Sequence, residues 1–304
     1  MEKLIVNKKY DGKKLNKFLL DSIPNLTYGL FCNTLRKKDI KINGKRVNKD
    51  CIVYEGDEIF AYINDAALKS VANSSLENMV SFKNLDIIFE DENILIINKP
   101  ENLEVTGNNS LTSLVHSKYE NASFKPMPCH RIDRNTTGLV LFSKKEEALN
   151  ILLDKFKNHE IEKHYLALVY GISKVQNKKC TAYLFKDNKK SMVYISESPK
   201  KGYSKIITEF SVLQKYKNNT SLLDVKIETG KTHQIRAHLA FLGYPIIGDG
   251  KYGKNEINKK FGKKYQMLCS YKIKFDFSSD SGILNYLKNK EFTLPKDKIE
   301  LLNI

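Results

Sequence analysis

The apolar residues of this chain come in short runs of strand length, which limits the folds open to it. Ile94–Ile97 and Leu139–Phe142 are typical runs, and Leu223, Val225 and Ile227 alternate with polar residues as in a strand with one buried face. No run approaches the roughly 18 residues that are needed to cross a bilayer. Strands and a few helices interleave without regular βαβ units, so we predict an α+β fold with a mixed, largely antiparallel central sheet.

The chain divides into three parts by its pattern of residue types. Residues 1–64 predict a small domain that opens with two short helices, the first running from Leu15 until Pro24 stops it. Residues 65–80 are small and polar without strand periodicity, and we expect them to form a linker. Strand patterns dominate residues 81–304, which are expected to form a second, larger domain.

A tight turn in the first domain lies within a concentration of basic residues. Asn43-Gly44 is typical of a two-residue hairpin turn. Asp39 is the one acidic residue between positions 36 and 46. The basic residues of that interval are Arg36, Lys37, Lys38, Lys41, Lys45 and Arg46. A solvated protein face would give the same count, but a compact basic edge between a helix and a hairpin is also suited to bind phosphate. These residues are therefore candidates for RNA binding.

The amino-acid composition limits which partners and which cellular compartment we expect for this protein. Lys and Arg number 51 against 35 Asp and Glu, so the formal net charge is +16. This charge favours a polyanionic partner such as nucleic acid, although a Lys-rich genome would produce the same excess. The five cysteines are scattered without a C-x-x-C pair, which predicts neither a disulfide framework nor a thiolate zinc site. With no signal-peptide pattern at the first residues, we expect a cytoplasmic protein with no membrane partner.

The densest group of reactive side chains runs from His130 to Arg134. Asp133 stands between Arg131 and Arg134 in a turn that leads directly into an apolar strand. An ionised carboxylate fixed in this way can act as a nucleophile or stabilise positive charge that develops on a sugar. A turn-stabilising aspartate with solvated arginines would have the same sequence, so this segment alone leaves both interpretations open.

A second group lies where a strand gives way to a helix. Gly230 permits the turn, Thr232 is suited to cap the helix, and Arg236 falls in the first helical turn away from the apolar stripe. His233 and His238 are five residues apart, which is about 140° around a helix. They do not share a face as two metal ligands would, and no metal site is predicted.

Tyr165 lies on an otherwise apolar strand and allows two interpretations. Such a tyrosine is usually part of the core, but it can also offer its ring for base stacking and its hydroxyl for proton transfer. The chain has neither a GxxxxGK[ST] loop nor a GxGxxG loop, so no nucleotide cofactor is predicted.

Taken together and in this order, these segments resemble the RluA-type family of RNA pseudouridine synthases. The resemblance covers about residues 81–255, and residues 12–63 resemble a small αL-type RNA-binding module first known from a ribosomal protein. The matching motifs are Ile87–Asp91 with Ile96–Pro100, His130–Arg134, Tyr165–Gly171, and Thr229–His238 with Gly243–Asp249. Four ordered motifs at family-like spacing are far more specific than any one of them.

The resemblance implies a pseudouridine synthase fold, no cofactor, no metal and a defined set of site residues. Asp133 would be the catalytic aspartate, Arg236 its ion-pair partner, and Tyr165 the ring that packs on the target base. Arg131 would fill the space left by a flipped-out uridine. The further residues implied at the substrate or RNA are His130, Arg134, Lys231, His233 and Gln234. Lys231 departs from the arginine usual in the family and cannot make a planar two-bond contact to phosphate.

The function implied is isomerisation of specific uridines to pseudouridine in structured RNA by a monomer. The front module favours large-subunit ribosomal RNA as the substrate, and the motif leaves open whether the aspartate attacks the ribose or removes a sugar proton. The alternative is a non-catalytic RNA-binding or ribosome-assembly factor built from the same parts. A nuclease would need clustered acidic metal ligands, which the sequence does not show.

Overall fold

The structure, a computed structural model, describes residues 2–24, 26–63 and 85–302. The chain divides into two compact units, Met1–Lys83 and Asn84–Ile304. The predicted linker at residues 65–80 lies outside the described residues. Each unit is therefore described by itself.

The first unit combines two helices with a four-stranded antiparallel sheet. Its strands are β1 (Glu2–Ile5), β2 (Lys13–Lys14), β3 (Ile40–Ile42), β4 (Lys45–Val47), β5 (Ile52–Val53) and β6 (Glu58–Ala61), and its helices are α1 (Leu15–Ser22) and α2 (Tyr28–Arg36). The sheet has the order β1-β6-β3-β4, while β2 pairs with β5. Leu15, Phe18 and Leu19 of α1 pack with Phe31 of α2 and Ile59 of β6 in one buried cluster. The two predicted helices are confirmed.

The predicted hairpin turn in the first unit is also confirmed. Asn43 and Gly44 have φ angles of 48° and 78°, so both lie in the left-handed region that a type I′ turn requires. The Asn43 side chain donates to Asp57 and accepts from the backbone N–H of Glu58, at 2.8 Å in each case. The turn is thereby fixed to the adjoining end of β6.

The second unit is built around a sheet of eleven strands with helices against it. Its strands are β7 (Ile87–Glu90), β8 (Ile94–Lys99), β9 (Met127–Pro128), β10 (Thr137–Ser143), β11 (Ile161–Tyr170), β12 (Asn177–Asp187), β13 (Met192–Ser196), β14 (Ser204–Tyr216), β15 (Thr220–Ile227), β16 (Leu268–Phe275) and β17 (Glu291–Thr293). Its helices are α3 (Leu111–Lys118), α4 (Glu146–Lys157), α5 (Gln234–Phe241) and α6 (Asn255–Lys260). The order is β13-β12-β14-β15-β11-β16-β10-β8-β7, with β17 on β16 and β9 on β10.

The strand pairing confirms the predicted mixed, largely antiparallel sheet. In residues 85–302, β10 and β16 are parallel, and the other named strand pairs are antiparallel. β16 lies between β10 and β11, so the strand that follows Asp133 and the strand that carries Tyr165 flank the same neighbour. The sheet centre therefore brings two of the sequence candidates to one region.

The parallel contact between β10 and β16 depends on a glycine. Gly138 pairs with Ser270 and has a φ of +104°. A Cβ atom placed on it would lie 2.1 Å from the Ser270 carbonyl oxygen, a backbone atom that has no flexible side chain to move. Only glycine combines this φ with such a close approach.

Replacing Gly138 with alanine is expected to lower the free energy of unfolding of the second unit by about 2 kcal/mol or more, because backbone strain and overpacking add. Urea unfolding followed by circular dichroism measures the change. Gly250→Ala is the matched control, since a Cβ there meets nothing within 4 Å and its φ is not positive. Equal stability of the two variants would contradict the close contact.

Candidate active site

Asp133, Arg236 and Asp249 form a continuous ion-pair network in the second unit. Arg236 donates from Nε and Nη2 to the two carboxylate oxygens of Asp249, at 2.8 and 2.9 Å. Its Nη1 donates to Oδ2 of Asp133 at 2.8 Å. The side chain of Asp249 is 0% exposed, that of Arg236 is 7% exposed and that of Asp133 is 26% exposed. The network thus runs from the interior to a carboxylate that reaches solvent.

Burial and pairing act in opposite directions on the inner pair. Burial alone would lower the pKa of Arg236, but hydrogen bonds and charge from Asp249 and Asp133 outweigh it and raise that pKa. Burial would likewise raise the pKa of Asp249, yet its bonds to Arg236 lower it. Both groups are therefore charged at neutral pH, and Arg236 holds a fixed positive charge beside Asp133.

A buried lysine, Lys99, is hydrogen-bonded to the turn that carries Asp133. Lys99 is 0% exposed, and its Nζ donates to the carbonyl oxygens of Pro100, Leu103 and Arg134 at 2.7, 2.8 and 2.9 Å. All three ammonium hydrogens are thus used, although burial lowers the pKa of Lys99 to about 7. The turn itself is closed by a bond from the Thr136 N–H to the Asp133 carbonyl at 3.0 Å.

The start of α5 differs from the sequence prediction. His233, not Thr232, is the N-cap residue, with a φ of 52° and no side-chain capping bond. The Gln234 amide fixes the turn that precedes the helix, because its oxygen accepts from Thr229 Oγ1 and the Lys231 N–H at 2.8 and 3.2 Å. Its nitrogen donates to the Ile207 carbonyl and Thr208 Oγ1. Gln234 is buried, and these four bonds inside the protein orient the turn, while its side chain also lines the cavity described below.

Burial lowers the pKa of three histidines near the site. His130 accepts from the Leu141 N–H at 3.1 Å, and burial, followed by the charge of Lys163, lowers its pKa to about 3. His233 Nδ1 lies 2.9 Å from the hydroxyl of Tyr252, and burial is the main cause that lowers its pKa. His238 lies 3.0 Å from Thr208 Oγ1 instead, and burial lowers its pKa to about 4. His233 and His238 therefore bond to separate partners.

A cavity of about 230 Å³ opens beside Asp133 and Arg236. Tyr165 lines it and is 5% exposed, and its pKa is raised by burial and then by the charge of Asp133. The apolar part of the wall comes from Ile132, Ile227, Ile235 and Leu268. The polar part comes from His130, Arg131, Asp133, Lys163, Lys231, His233 and Arg236, among others. A flat ring with polar edges matches this combination of an aromatic wall, apolar contacts and charged groups.

A second cavity of about 430 Å³ shares five lining residues with the first: Arg131, Ile132, Asp133, His233 and Arg236. Its cations are Arg131, Arg134, Lys251 and Lys264, together with Arg236. Arg134 donates to the Asn102 carbonyl and Lys251 to the Ser191 carbonyl. Among residues 85–302, neither of these two cations forms an ion pair. This surface is suited to bind anions.

The basic residues predicted in the first unit lie at its surface. Arg36, Lys37, Lys38, Lys45 and Arg46 are exposed, and Lys41 is half-buried. Within residues 2–63 as described, none of the six forms an ion pair, while Arg36 donates to the Asn33 side chain at 2.5 Å. Their charge is thus open to a partner.

Sequence reasoning gave no role to three residues that the structure places at the site. Lys99 and Asp249 lie within the quoted motifs, but only tertiary contacts reveal their bonds to the Asp133 turn and to Arg236. Lys163 precedes Tyr165 by two residues on β11 and lines the same cavity. The sequence could have indicated Lys163 as a cavity residue, because residues two apart on a strand share a face and Tyr165 was already a candidate.

Metal-binding clusters and membrane-length helices are absent from the described residues. No group of three or more His, Cys, Asp or Glu side chains there is arranged to hold a metal ion. No described helix is long and apolar enough to span a membrane.

Comparison with solved structures identifies the fold. Human RNA Pseudouridylate Synthase Domain Containing 4 is similar with a TM-score of 0.59 and 19% identity, covering 76% of this chain and 96% of that one. Human RNA Pseudouridylate Synthase Domain Containing 1 is similar with a TM-score of 0.57 and 21% identity, covering 70% and 84%. The second unit therefore has the pseudouridine synthase fold that the sequence predicts.

Comparison with sequences identifies the family. A model of the RNA pseudouridylate synthase family matches residues 93–241. A Mycoplasma capricolum protein described as an uncharacterized RNA pseudouridine synthase is 34% identical over 95% of this chain and 96% of its own length. Ribosomal large subunit pseudouridine synthase C of Buchnera aphidicola is 31% identical over 90% and 88%. The chain belongs to the RNA pseudouridine synthase family.

Replacing Asp249 with asparagine is expected to lower the free energy of unfolding of the second unit by about 3–5 kcal/mol, because it leaves the buried Arg236 charge without its main partner. Urea unfolding at neutral pH measures this. Glu291→Gln is the control, since its pair with Lys272 spans 3.6 Å and its side chain is 46% exposed. That loss should be about 1 kcal/mol or less. Similar losses in both variants would contradict the anchoring role of Asp249.

Proposed function

We propose that this protein isomerises specific uridines to pseudouridine in large-subunit ribosomal RNA, with Asp133 as its catalytic carboxylate. The observation that carries the proposal is the Asp133 carboxylate, held by Arg236 at 2.8 Å and facing a cavity lined by Tyr165. Its Oδ1 accepts no hydrogen bond from residues 85–302. That oxygen is therefore available to a substrate.

The reaction needs one carboxylate and no external group. The bond between uracil N1 and ribose C1′ breaks, and its electron pair leaves with the base. Asp133 suits two routes: its oxygen forms an ester with C1′, or it takes a proton from the adjoining C2′ and later returns it. The base then turns and C5 forms a bond to C1′, while the ester bond from C1′ to Asp133 breaks in the first route or Asp133 returns its proton to C2′ in the second. The proton on C5 is lost, and N1 gains a proton. Substrate and product have the same composition.

The neighbours of Asp133 support this chemistry. A glycoside hydrolase uses two carboxyl groups across the bond that it breaks, but the other carboxylate of the network, Asp249, is buried and bound twice by Arg236. Tyr165 would carry the base on its ring and help to move the C5 proton, and its raised pKa keeps the phenol protonated at rest. Arg131 is exposed at the mouth of both cavities and would take the place of the flipped uridine.

The proposed substrate and organisation rest on the relatives and on the first unit. The Buchnera relative is named for the large ribosomal subunit. We infer that residues 1–64 bind RNA through their exposed cations, that residues 65–80 link the domains and that residues 81–304 carry the reaction. The five free cysteines suit a reducing cytoplasm, where we propose that the enzyme acts as a monomer.

Asp133→Asn is expected to abolish pseudouridine formation while RNA affinity stays close to that of the wild type, because the amide keeps the shape but loses the charge. The assay incubates enzyme with ribosomal RNA from a deletion strain and detects pseudouridine by carbodiimide-dependent stops in reverse transcription. Asp154→Asn, at an exposed position of α4, is the control and should keep full activity. An active Asp133→Asn protein would mean that another group performs the reaction.

The salt dependence of RNA binding tests the first unit. Neutralising Lys37 and Lys38 with glutamine should reduce the slope of log K against log salt by about 0.7–0.9 for each phosphate that the protein no longer neutralises. Lys215→Gln with Lys217→Gln, two exposed lysines of the second unit, is the matched control and should change the slope less. The alternative of a non-catalytic RNA-binding factor predicts that biological function follows this slope and is indifferent to Asp133→Asn.

A further inference from the structure

Lys163 is a cavity residue to which the reaction described above gives no role. It lies on β11 two residues before Tyr165, and both side chains line the cavity beside Asp133. The lysine is half-buried, and its Nζ lies 4.8 Å from the centre of the Phe156 ring. A Cβ atom placed on Gly230 would be 3.7 Å from that nitrogen. The amine therefore lies in the wall, between the Phe156 ring and the Gly230 turn.

Comparison with two other lysines of the second unit shows what is unusual about this one. The ammonium of Lys99 donates to three carbonyl oxygens. That of Lys155 is bound to Glu160 at 2.9 Å and to the hydroxyl and carbonyl of Ser279 at 2.6 and 3.0 Å. Lys163 donates to no acceptor among residues 85–302, although it is the member of the three that faces the cavity.

The unpartnered amine points to an acceptor that arrives with the substrate. An ammonium removed from water is costly unless it is paired and hydrogen-bonded, and desolvation lowers the pKa of Lys163 to about 8. The charged or titratable groups that share its cavity are His130, Arg131, Asp133, Tyr165, Lys231, His233 and Arg236. Asp133 is already bonded to Arg236, and no carboxylate of residues 85–302 forms an ion pair with Lys163.

We propose that the Lys163 ammonium donates a hydrogen bond to a carbonyl oxygen of the flipped uracil and stabilises the negative charge that the base gains when its bond to ribose breaks. This inference rests on the proposed function. When N1 separates from C1′, the electron pair spreads over the ring and its carbonyl oxygens. Lys163 keeps its proton throughout, so it acts as a fixed electrostatic donor and enters no covalent step.

The surroundings favour a base carbonyl over a phosphate as the acceptor. The amine lies in the cavity whose wall includes Ile227, Ile235 and Leu268, which suit a ring. Arg134, which lines only the larger second cavity, and Arg131, which lines both cavities, are exposed and are better placed for the backbone of the RNA strand. A cation within the base cavity is thus placed to act on the leaving group.

The test compares leaving groups. Lys163→Met removes the charge at similar length, Lys163→Arg keeps a charge, and Lys215→Met is a control that removes one exposed charge from β14. Each full-length protein is mixed in excess with ribosomal RNA fragments that carry uridine or 5-fluorouridine at the mapped target. Single-turnover rates are measured as the loss of that nucleoside by mass spectrometry. The fluorine atom withdraws electrons and stabilises the uracil anion that forms when the bond to ribose breaks. The departure of 5-fluorouracil therefore depends less on a hydrogen-bond donor from the protein.

We expect Lys163→Met to slow the uridine reaction by about 100-fold, the effect of losing one preorganised donor to a developing anion. On 5-fluorouridine RNA the loss should be several-fold smaller, and Lys163→Arg should recover part of the rate on uridine. RNA affinity, its salt slope and the circular dichroism spectrum should match those of Lys215→Met.

Other results would overturn the inference. An unchanged rate in Lys163→Met removes any role in the reaction, and equal losses on the two substrates with a reduced salt slope assign Lys163 to a phosphate. If Lys163→Met fails to fold, a Lys163→Arg protein that folds and shows no greater loss on uridine than on 5-fluorouridine overturns it too. Failure of the proposed function would give a different result. In that case the wild-type protein would convert neither the uridine RNA nor the 5-fluorouridine RNA, or the Asp133→Asn protein would convert both.

Discussion

The buried guanidinium of Arg236 is the constraint on which the site depends. A cation with 7% of its side chain exposed would be strongly destabilising without compensation. Asp249 supplies that compensation through both carboxylate oxygens, and the backbone N–H groups of Lys251 and Tyr252 satisfy the carboxylate in turn. The remaining edge of the guanidinium, at Nη1, donates to Asp133 and so fixes the position of that carboxylate. The position of the Asp133 carboxylate thus follows from a pairing deeper in the protein.

Around this network, groups whose hydrogen-bonding capacity is used within the protein hold the turns in place, and groups with unused capacity face the cavity. Lys99 and Gln234 use their hydrogen-bonding capacity on backbone and side chains, so they hold the two turns that meet at the site. Asp133 and Lys163 retain capacity toward the cavity. This division matches the general need of an enzyme for a rigid support and a few groups that are satisfied only by the ligand.

The local sequence pattern was sufficient to predict turns and helices whose conformation depends on neighbouring residues alone. Asn43-Gly44 predicts its hairpin because few residue pairs adopt two left-handed conformations, and α1 follows from its helical apolar spacing. Thr232 is not the cap, because the helix begins at Gln234 and His233, in the left-handed region with a φ of 52°, stands at the N-cap position. Asp249 could not have been assigned to Arg236 from spacing, since only the folded loop brings them together. Distant contacts were predictable only through resemblance.

The place of β16 in the sheet has a consequence for synthesis on the ribosome. This strand lies between β10 and β11, yet it is made more than ninety residues after β11 ends, at Leu268–Phe275. Until it leaves the exit tunnel, the edges of β10 and β11 that it will cover have unpaired backbone groups. These edges therefore stay uncovered, and open to pairing with other chains, while residues 171–267 are made, and the strand that follows Asp133 and the strand that carries Tyr165 are joined only afterwards.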